Sequence, residues 1–195
     1  MILYHKTMEL KESKVSIKKR QKLSEHFTFI PIQYDKKELM IQTPILYIPF
    51  GIQQYSINTN NKYLDISFQN IDNDIYLSKF LDNISILYNT IYAFFNKKYI
   101  VENFIKENKF SKFLRLKLND SCHFYDQSKN IYNDDLPRTH GSFIIHLSGL
   151  WMMDNKIWFE WKLLQARIHI QPQLKEFLFI DRTMSGDYTL HQERF

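Results

Sequence analysis

The chain has very little glycine and almost no cysteine. Only 4 of its 195 residues are glycine, and no spacing among them matches a dinucleotide-binding fingerprint, a phosphate loop or a nucleophile elbow. We therefore expect no cofactor and no nucleotide hydrolysis by the common phosphate loop. The single cysteine, Cys122, permits no internal disulfide bond, which indicates a reducing compartment.

Long apolar runs are also missing. The first residues, MILYHKTMELKESK, do not contain the apolar core of a signal peptide. No other stretch approaches the roughly 20 apolar residues that a membrane-spanning helix needs. The sequence therefore predicts an intracellular protein that is not secreted and has no membrane partner.

Aromatic residues are abundant, and the positive charge is concentrated at one end. Aromatic side chains make up 16% of the chain and hydrophobic ones 44%, which is typical of a globular protein. The formal net charge is +5, and residues 1–22 carry seven Lys or Arg against two Glu. This pattern predicts a basic N-terminal arm, residues 1–25, whose Lys18, Lys19 and Arg20 contact phosphates. A solvated leader without a binding role is the alternative.

Two aromatic-rich segments are the most distinctive part of the sequence. Residues 143–153 and 157–170 flank a short polar interruption, Asp154-Asn155-Lys156, which is typical of a hairpin turn. All three tryptophans, Trp151, Trp158 and Trp161, lie within these two segments. We therefore expect a β-hairpin with a dense aromatic surface.

The second segment alternates between apolar and polar residues with one interruption. Its apolar face is continuous only if the alternation slips by one residue at Leu163-Leu164, as it does at a β-bulge. The predicted inner side chains are then Phe159, Trp161, Leu164, Ala166 and Ile168. The predicted outer side chains are Trp158, Glu160, Lys162, Gln165, Arg167 and His169. This outer stripe suits a small barrel that grips a polyanion, and an ordinary amphipathic strand with a solvated face is the alternative.

The remaining segments predict a mostly β chain with one long helix. Apolar or alternating patterns predict strands within residues 26–33, 39–50, 63–70 and 113–118. Apolar residues spaced by three and four predict an amphipathic helix over residues 75–95, capped by Asp72 or Asp74. Residues 99–110 are a candidate for a second, shorter helix, and residues 119–141 are typical of a loop. This order indicates a small β-barrel with one inserted helix.

The sequence shows no strong catalytic constellation. The seven histidines are scattered, and Cys122-His123 has no second cysteine that would complete a structural zinc site. Asp134, Asp135 and His140 resemble an acid–base or metal cluster, but such groupings are common in surface loops. We therefore predict a protein that is not an enzyme and binds no metal. A nuclease that uses Asp134, Asp135 and Glu160 is an alternative.

Three blocks of the chain together resemble a known family. They are PILYIPFGIQQYSINTNNKYLDISF at 44–68, FLRLKL at 113–118 and SGLWMMDNKIWFEWKLLQARI at 148–168. They resemble the single-stranded-DNA-binding proteins of large eukaryotic DNA viruses, which are related to podophage single-stranded-DNA-binding proteins. The resemblance covers about residues 27–170 and implies an OB-fold-like barrel with a packed helix. It divides the chain into the arm at 1–25, a nucleic-acid-binding domain at 26–170 and a C-terminal extension at 171–195.

The resemblance implies a protein that binds single-stranded DNA without sequence preference in viral DNA replication, recombination or repair. Viral replication proteins are candidate further partners, and viral replication sites in the host cytoplasm or nucleus are the expected location. Base stacking and phosphate pairing are the contacts that such binding needs. Their facing and chemistry assign stacking to Trp158, with Tyr55 and Tyr63 as further candidates. The assigned phosphate contacts are Arg115, Lys117, Lys162 and Arg167, with Lys18, Lys19 and Arg20 of the arm.

The C-terminal residues depart from the family pattern. The related phage proteins end in a strongly acidic tail with a terminal aromatic residue. Residues 171–195 end in Phe195 but contain three basic and four acidic residues, so the acidic run is missing. The resemblance therefore does not extend to tail-mediated contact with a polymerase or helicase. A viral structural or scaffold protein that uses its aromatic surface for protein contacts is the alternative function.

Overall fold

The chain is a β-rich protein with one long helix. The computed structural model describes residues 2–54, 61–69, 73–107, 109, 111–133, 136, 138–170, 181–182 and 188–189. The first strands are β1 (Ile2–Tyr4), β2 (Val15–Ile17), β3 (Gln21–Lys22), β4 (Phe27–Tyr34), β5 (Leu39–Gln42), β6 (Leu46–Ile48), β7 (Ile52–Gln54) and β8 (Lys62–Phe68). After the helix α1 (Ile75–Phe95) come β9 (Ile100–Val101), β10 (Ile105–Glu107), β11 (Lys112–Tyr125), β12 (Thr139–Met153), β13 (Lys156–His169), β14 (Asp181–Arg182) and β15 (Tyr188–Thr189).

Five strands close into a ring. β12 pairs with β6, β6 with β8, β8 with β11, β11 with β13, and β13 again with β12. The β11–β13 pair is parallel and the other four pairs are antiparallel. Such a small ring with mixed strand directions confirms the mainly β barrel with α that the element order indicated, and the OB-fold-like architecture that the resemblance implied.

The long strand β12 organises the sheet. Along one edge it pairs in turn with β4, β5 and β6, and along the other edge with β13. Pro44, which has no N–H to donate, falls in the gap between β5 and β6. Thr43 beside it bonds Phe143 of β12, because its N–H donates to the Phe143 carbonyl and its Oγ1 accepts from the Phe143 N–H. The strand region predicted within residues 39–50 is therefore divided into β5 and β6 at this point.

β13 contains the predicted bulge, with one correction to its inner face. Ile144 pairs with Gln165 and Ile145 with Leu163, so Leu164 is the extra residue. Leu163 is fully buried while Leu164 is partly exposed. The inner position assigned to Leu164 is thus wrong, because the strand keeps its alternation through Leu163 before it slips.

The helix α1 has the predicted bounds and the predicted cap. The Asp74 carboxylate accepts hydrogen bonds from the backbone N–H groups of Tyr76 and Leu77, at 2.9 and 3.1 Å. Phe80 packs against Phe68 of β8 with 6.4 Å between the ring centres. Because one face of α1 is buried in this way, the helix closes over the barrel and belongs to the same core.

Replacing the cap residue should lower stability without affecting the barrel. We expect Asp74→Ala to reduce the free energy of unfolding by about 1 kcal/mol, since two N–H groups of the first turn lose their acceptor. Urea denaturation monitored by circular dichroism measures this change. Asp82→Ala, an exposed position on the same helix, is the matched control and should leave the midpoint nearly unchanged. Equal midpoints for the two variants would contradict the capping role.

The basic N-terminal segment packs on the barrel. β1 runs parallel to β5, and β2 and β3 pair antiparallel with β4. Met8 and Leu10 are only 2% and 5% exposed, and the Leu10 N–H donates to Asn83 of α1 at 2.8 Å. The sequence did not decide whether this segment is ordered. In the structure, strand pairing and the buried side chains of Met8 and Leu10 hold it against the barrel. The boundaries at residues 25 and 170 stay predictions.

Two predictions of local structure are wrong. Residues 99–110 contain β9 and β10 where a second helix was expected, and β11 continues to Tyr125 into the expected loop. β9 pairs with the start of β13, and β10 forms a hairpin with β11. Pairing with neighbouring strands outweighs the local sequence pattern here, because the N–H and C=O groups at an open strand edge form hydrogen bonds with an adjacent chain segment. Among the described residues, no helix has both the length and the apolarity needed to cross a membrane.

Candidate nucleic-acid interface

A groove of about 850 Å³ crosses the outer face of the barrel. The strands β4, β8, β11, β12 and β13 and residues 102–106 supply its walls. Its aromatic lining is Phe27, Tyr63, Phe104, Trp151, Trp158, Phe159 and Trp161, and its charged lining is Glu102, Lys106, Arg115, Lys117, Lys156 and Glu160. The groove therefore combines flat apolar rings with cations, the two kinds of group that a site for a single-stranded nucleic acid needs.

Two tryptophans form the aromatic centre of the groove. Trp151 of β12 and Trp158 of β13 are direct cross-strand partners, and both are partly exposed. The rings of Phe29 and Phe27 support Trp151 from β4, with ring centres at 5.1 and 6.5 Å. Cross-strand neighbours lie about 5 Å apart at Cβ, so the two indoles lie side by side on one surface of the ribbon. That surface is a platform on which planar rings can stack.

Trp151 was not among the predicted binding residues, although the sequence contained its signal. The hairpin turn consists of Asp154 and Asn155, and Asp154 has a φ of 53°, as such tight turns require. A two-residue turn fixes the register, so Met153 lies opposite Lys156 and Trp151 opposite Trp158. Counting back from the turn would have placed both tryptophans on the same face.

Phe104 is a second residue that the sequence analysis did not assign. It lies between β9 and β10, within the segment expected to be helical. Its ring centre is 4.9 Å from that of Phe159 and 5.6 Å from that of Trp161. Trp161 is 2% exposed, so it is a core residue, as the bulged pattern predicted.

A buried carboxylate holds two of the predicted phosphate-binding lysines. Glu160 is 8% exposed, and its oxygens lie 3.7 Å from Lys117 Nζ and 3.2 Å from Lys162 Nζ. Ser148 Oγ donates a further hydrogen bond to the same carboxylate. Burial alone would raise the pKa of Glu160, but hydrogen bonds from Ser148 and Trp151 and the charge of Lys162 bring that pKa below its usual value. Glu160 is therefore ionised at neutral pH.

Arg115 is fixed at the groove by a bidentate ion pair. Its Nε and Nη2 donate to the two carboxylate oxygens of Asp65, each at 2.8 Å. Asp65 is the antiparallel partner of Arg115 on β8, and Tyr63 is likewise the partner of Lys117. Four of the predicted binding residues, Tyr63, Arg115, Lys117 and Trp158, thus line one groove. Lys162 adjoins them through Glu160.

The other predicted binding residues lie elsewhere. Arg167 is exposed near the opposite end of β13, and Lys18 and Lys19 are exposed residues that do not line the groove. The Arg20 guanidinium donates to Tyr99 Oη at 3.1 Å and lies 5.3 Å from the centre of that ring. Tyr55 lies outside the described residues. The structure therefore brings together one subset of the predicted site and leaves the basic segment apart from it.

Among the described residues, the candidate catalytic groups do not form a metal site or an activated nucleophile. Within the described part of the chain, no three His, Cys, Asp or Glu residues lie close enough to hold a metal ion. Burial raises the pKa of the Cys122 thiol to about 11, so the thiol is protonated at neutral pH. Glu160 is occupied by two lysines, and Asp134 and Asp135 lie outside the described residues.

The fold is similar to that of a phage protein. The structure is similar to that of the single-stranded DNA-binding protein from bacteriophage Enc34, solved in complex with single-stranded DNA, with a TM-score of 0.50 and 8% sequence identity. The similarity covers 79% of this chain and 96% of the Enc34 chain. Gp2.5, a single-stranded DNA-binding protein encoded by bacteriophage T7, has a TM-score of 0.49 and 10% identity over 70% of this chain and 89% of its own. The sequence matches no protein-family model, and comparison with curated protein sequences gives no match.

Proposed function

We propose that this protein binds single-stranded DNA without sequence preference and without catalysis. The observation that supports this proposal most directly is the groove. There the cross-strand pair Trp151–Trp158 lies beside Arg115, Lys117 and Lys156 on one face of the barrel. Aromatic rings stack on any base, and cations follow the phosphates whatever the sequence. A site built from these two contacts alone has no reason to prefer one sequence over another.

The geometry favours a single strand over a duplex. Bases are available for stacking only where they are unpaired, and both indoles line the groove. The charged lining alternates cations with the carboxylates of Glu102 and Glu160, so affinity cannot rest on charge alone. The stacking platform must supply part of the binding energy, and a duplex hides the faces that stack.

The biological setting follows from the proposal. The Enc34 protein, whose barrel is similar, is a phage single-stranded-DNA-binding protein. The sequence blocks named above resemble those of single-stranded-DNA-binding proteins of large eukaryotic DNA viruses, and we propose that the chain belongs with that group. Coating of single strands in viral DNA replication, recombination or repair is the role we infer, at viral replication sites in the host cytoplasm or nucleus. Viral replication proteins are the further partners that such a role requires.

Titration with an oligothymidylate at two salt concentrations tests the proposal. We expect binding to quench tryptophan fluorescence, because two of the indoles that line the groove are partly exposed. About four phosphate contacts give a slope of log affinity against log salt of about −3, or a loss of about 50-fold between 50 and 200 mM salt. Duplex DNA of the same length should bind more weakly at both salt concentrations.

Other outcomes would point to different functions. Equal affinity for duplex and single strands would contradict stacking as a source of the binding energy. Binding to neither form would favour the alternative of a viral structural or scaffold protein whose aromatic surface contacts other proteins. Magnesium-dependent cleavage of a labelled oligonucleotide would instead support the nuclease alternative.

A further inference from the structure

The outer face of the β12–β13 ribbon continues well beyond the groove. After Lys162 and the bulge, the outward residues of β13 are Gln165 and Arg167, and Ser142 of β12 is the cross-strand partner of Arg167. Tyr125 of β11 lies beside Arg167 on the other side. A depression of about 300 Å³ forms here. We call it the far patch, and its lining includes the buried ring of Phe143 and the more exposed side chains of Gln42, Tyr125, Lys129, Ser142, Gln165 and Arg167.

The far patch has the two kinds of groups that the groove has. The Tyr125 ring is partly exposed, and Arg167 and Lys129 are exposed cations beside it. Lys129 has a φ of 70° on a turn that is closed when the Asn130 backbone N–H donates to Asp126 at 2.9 Å. The turn therefore holds the lysine next to the patch.

The cations of the far patch differ from those of the groove in their partners. Lys117 and Lys162 are held by Glu160, and Arg115 by Asp65. Within the described residues, neither Arg167 nor Lys129 forms an ion pair. Asp126 is the nearest acidic residue along the turn, and both of its oxygens accept hydrogen bonds from Asn130. A phosphate at Arg167 or Lys129 would thus displace no carboxylate of the described residues.

The positive charge at this end of the ribbon comes from Arg167 and Lys129 and does not depend on the nearby His169. His169 borders the patch, and its Nε2 lies 3.4 Å from Ser142 Oγ. Burial first, and then the charges of Arg167 and His140, lower the pKa of His169 below its usual value. The His169 ring is therefore neutral at neutral pH, and Arg167 and Lys129 supply the positive charge in this range.

We propose that the far patch is a second contact point for the same single strand, with Tyr125 stacking on a base and Arg167 and Lys129 pairing with phosphates. This inference rests on the proposed function. β13 spans about 25–30 Å from Trp158 to Arg167 at a rise of about 3.3 Å per residue. A stacked strand covers that distance with about eight nucleotides at about 3.4 Å each. Longer strands reach both sites, and short ones occupy the groove alone.

Oligonucleotides of two lengths test the inference on the full chain. We would measure the affinity of wild type, Tyr125→Ala/Arg167→Ala, Trp158→Ala and Lys79→Ala for oligothymidylates of about 4 and about 16 nucleotides, which bracket the usual site sizes. Lys79→Ala removes an exposed cation from α1 and is the charge control. We expect the double variant to bind the long strand about 5- to 100-fold more weakly and the short strand within about twofold of wild type. Trp158→Ala should weaken both.

The affinities for the two lengths distinguish a failure of the far-patch inference from a failure of the proposed function. The far-patch inference is overturned if the double variant binds the long strand like Lys79→Ala, or if both lengths lose affinity equally. If wild type binds neither length, the proposed function itself fails, and the inference fails with it. Tyr125→Phe keeps the ring and should restore the stacking part of the affinity when combined with Arg167→Ala. Thermal unfolding of each variant separates loss of contact from loss of fold.

Discussion

Trp158→Ala should weaken binding of single-stranded DNA by about 5- to 150-fold, which corresponds to the 1–3 kcal/mol that one stacked base contributes. The indole of Trp158 lines the groove together with its cross-strand partner Trp151. Removing it takes away half of this platform and leaves Trp151, which packs against Phe27 and Phe29. The salt dependence should stay the same, because the change removes no cation. Fluorescence anisotropy with a labelled oligothymidylate measures both quantities.

Two further variants make the result specific to stacking. Trp158→Phe keeps an aromatic face and should recover most of the affinity. Phe94→Ala removes a side chain that is 66% exposed on α1, away from the groove, and should bind like wild type. If Trp158→Ala binds as tightly as Phe94→Ala, the groove is not the binding site. If both variants lose affinity, a general loss of fold is the explanation, which their unfolding temperatures would reveal.

Much of the fold could be predicted from local pattern. The spacing of apolar residues over 75–95 predicted α1 with its bounds, because one face of a helix must be buried at that period. The single slip at Leu163-Leu164 predicted the bulge of β13, because a period of two tolerates no other interruption. Both features depend on residues close together in the chain, which a sequence displays directly.

The parts that could not be predicted depend on residues far apart in the chain. Nothing near Lys117 indicates that it shares the Glu160 carboxylate with Lys162, because that contact follows from the parallel pairing of β11 and β13. The strands β9 and β10 likewise exist because the edges of β13 and β11 are available to them. The predicted cations of the groove were therefore identified as residues but not as members of ion pairs. A phosphate that binds these cations must therefore compete with the carboxylates of Asp65 and Glu160.

Glu160→Gln should strengthen DNA binding while it weakens the fold. In the folded protein the carboxylate lies between Lys117 and Lys162, where it repels phosphates and competes with them for both lysines. Neutralising it should tighten binding about fivefold, from about 1 kcal/mol of Coulomb energy near solvent. It should also make the salt slope steeper by about 0.7 for each lysine released. Salt titrations of wild type and variant check both expectations, with Asp82→Asn on α1 as the control for charge.

The same substitution should lower the free energy of unfolding at neutral pH by about 1–3 kcal/mol, the contribution of hydrogen bonds to a charged group. The folded state lowers the Glu160 pKa below its usual 4.5, so this stability is complete above pH 4.5 and is lost as the pH falls through the lowered pKa. The stability difference between wild type and Glu160→Gln should therefore shrink in acid, which urea denaturation at pH 7 and about pH 3 measures. A residue kept only for stability would show this loss without tighter DNA binding. Tighter DNA binding together with a lower free energy of unfolding would show that the Glu160 carboxylate stabilises the fold by pairing with lysines for which phosphates compete.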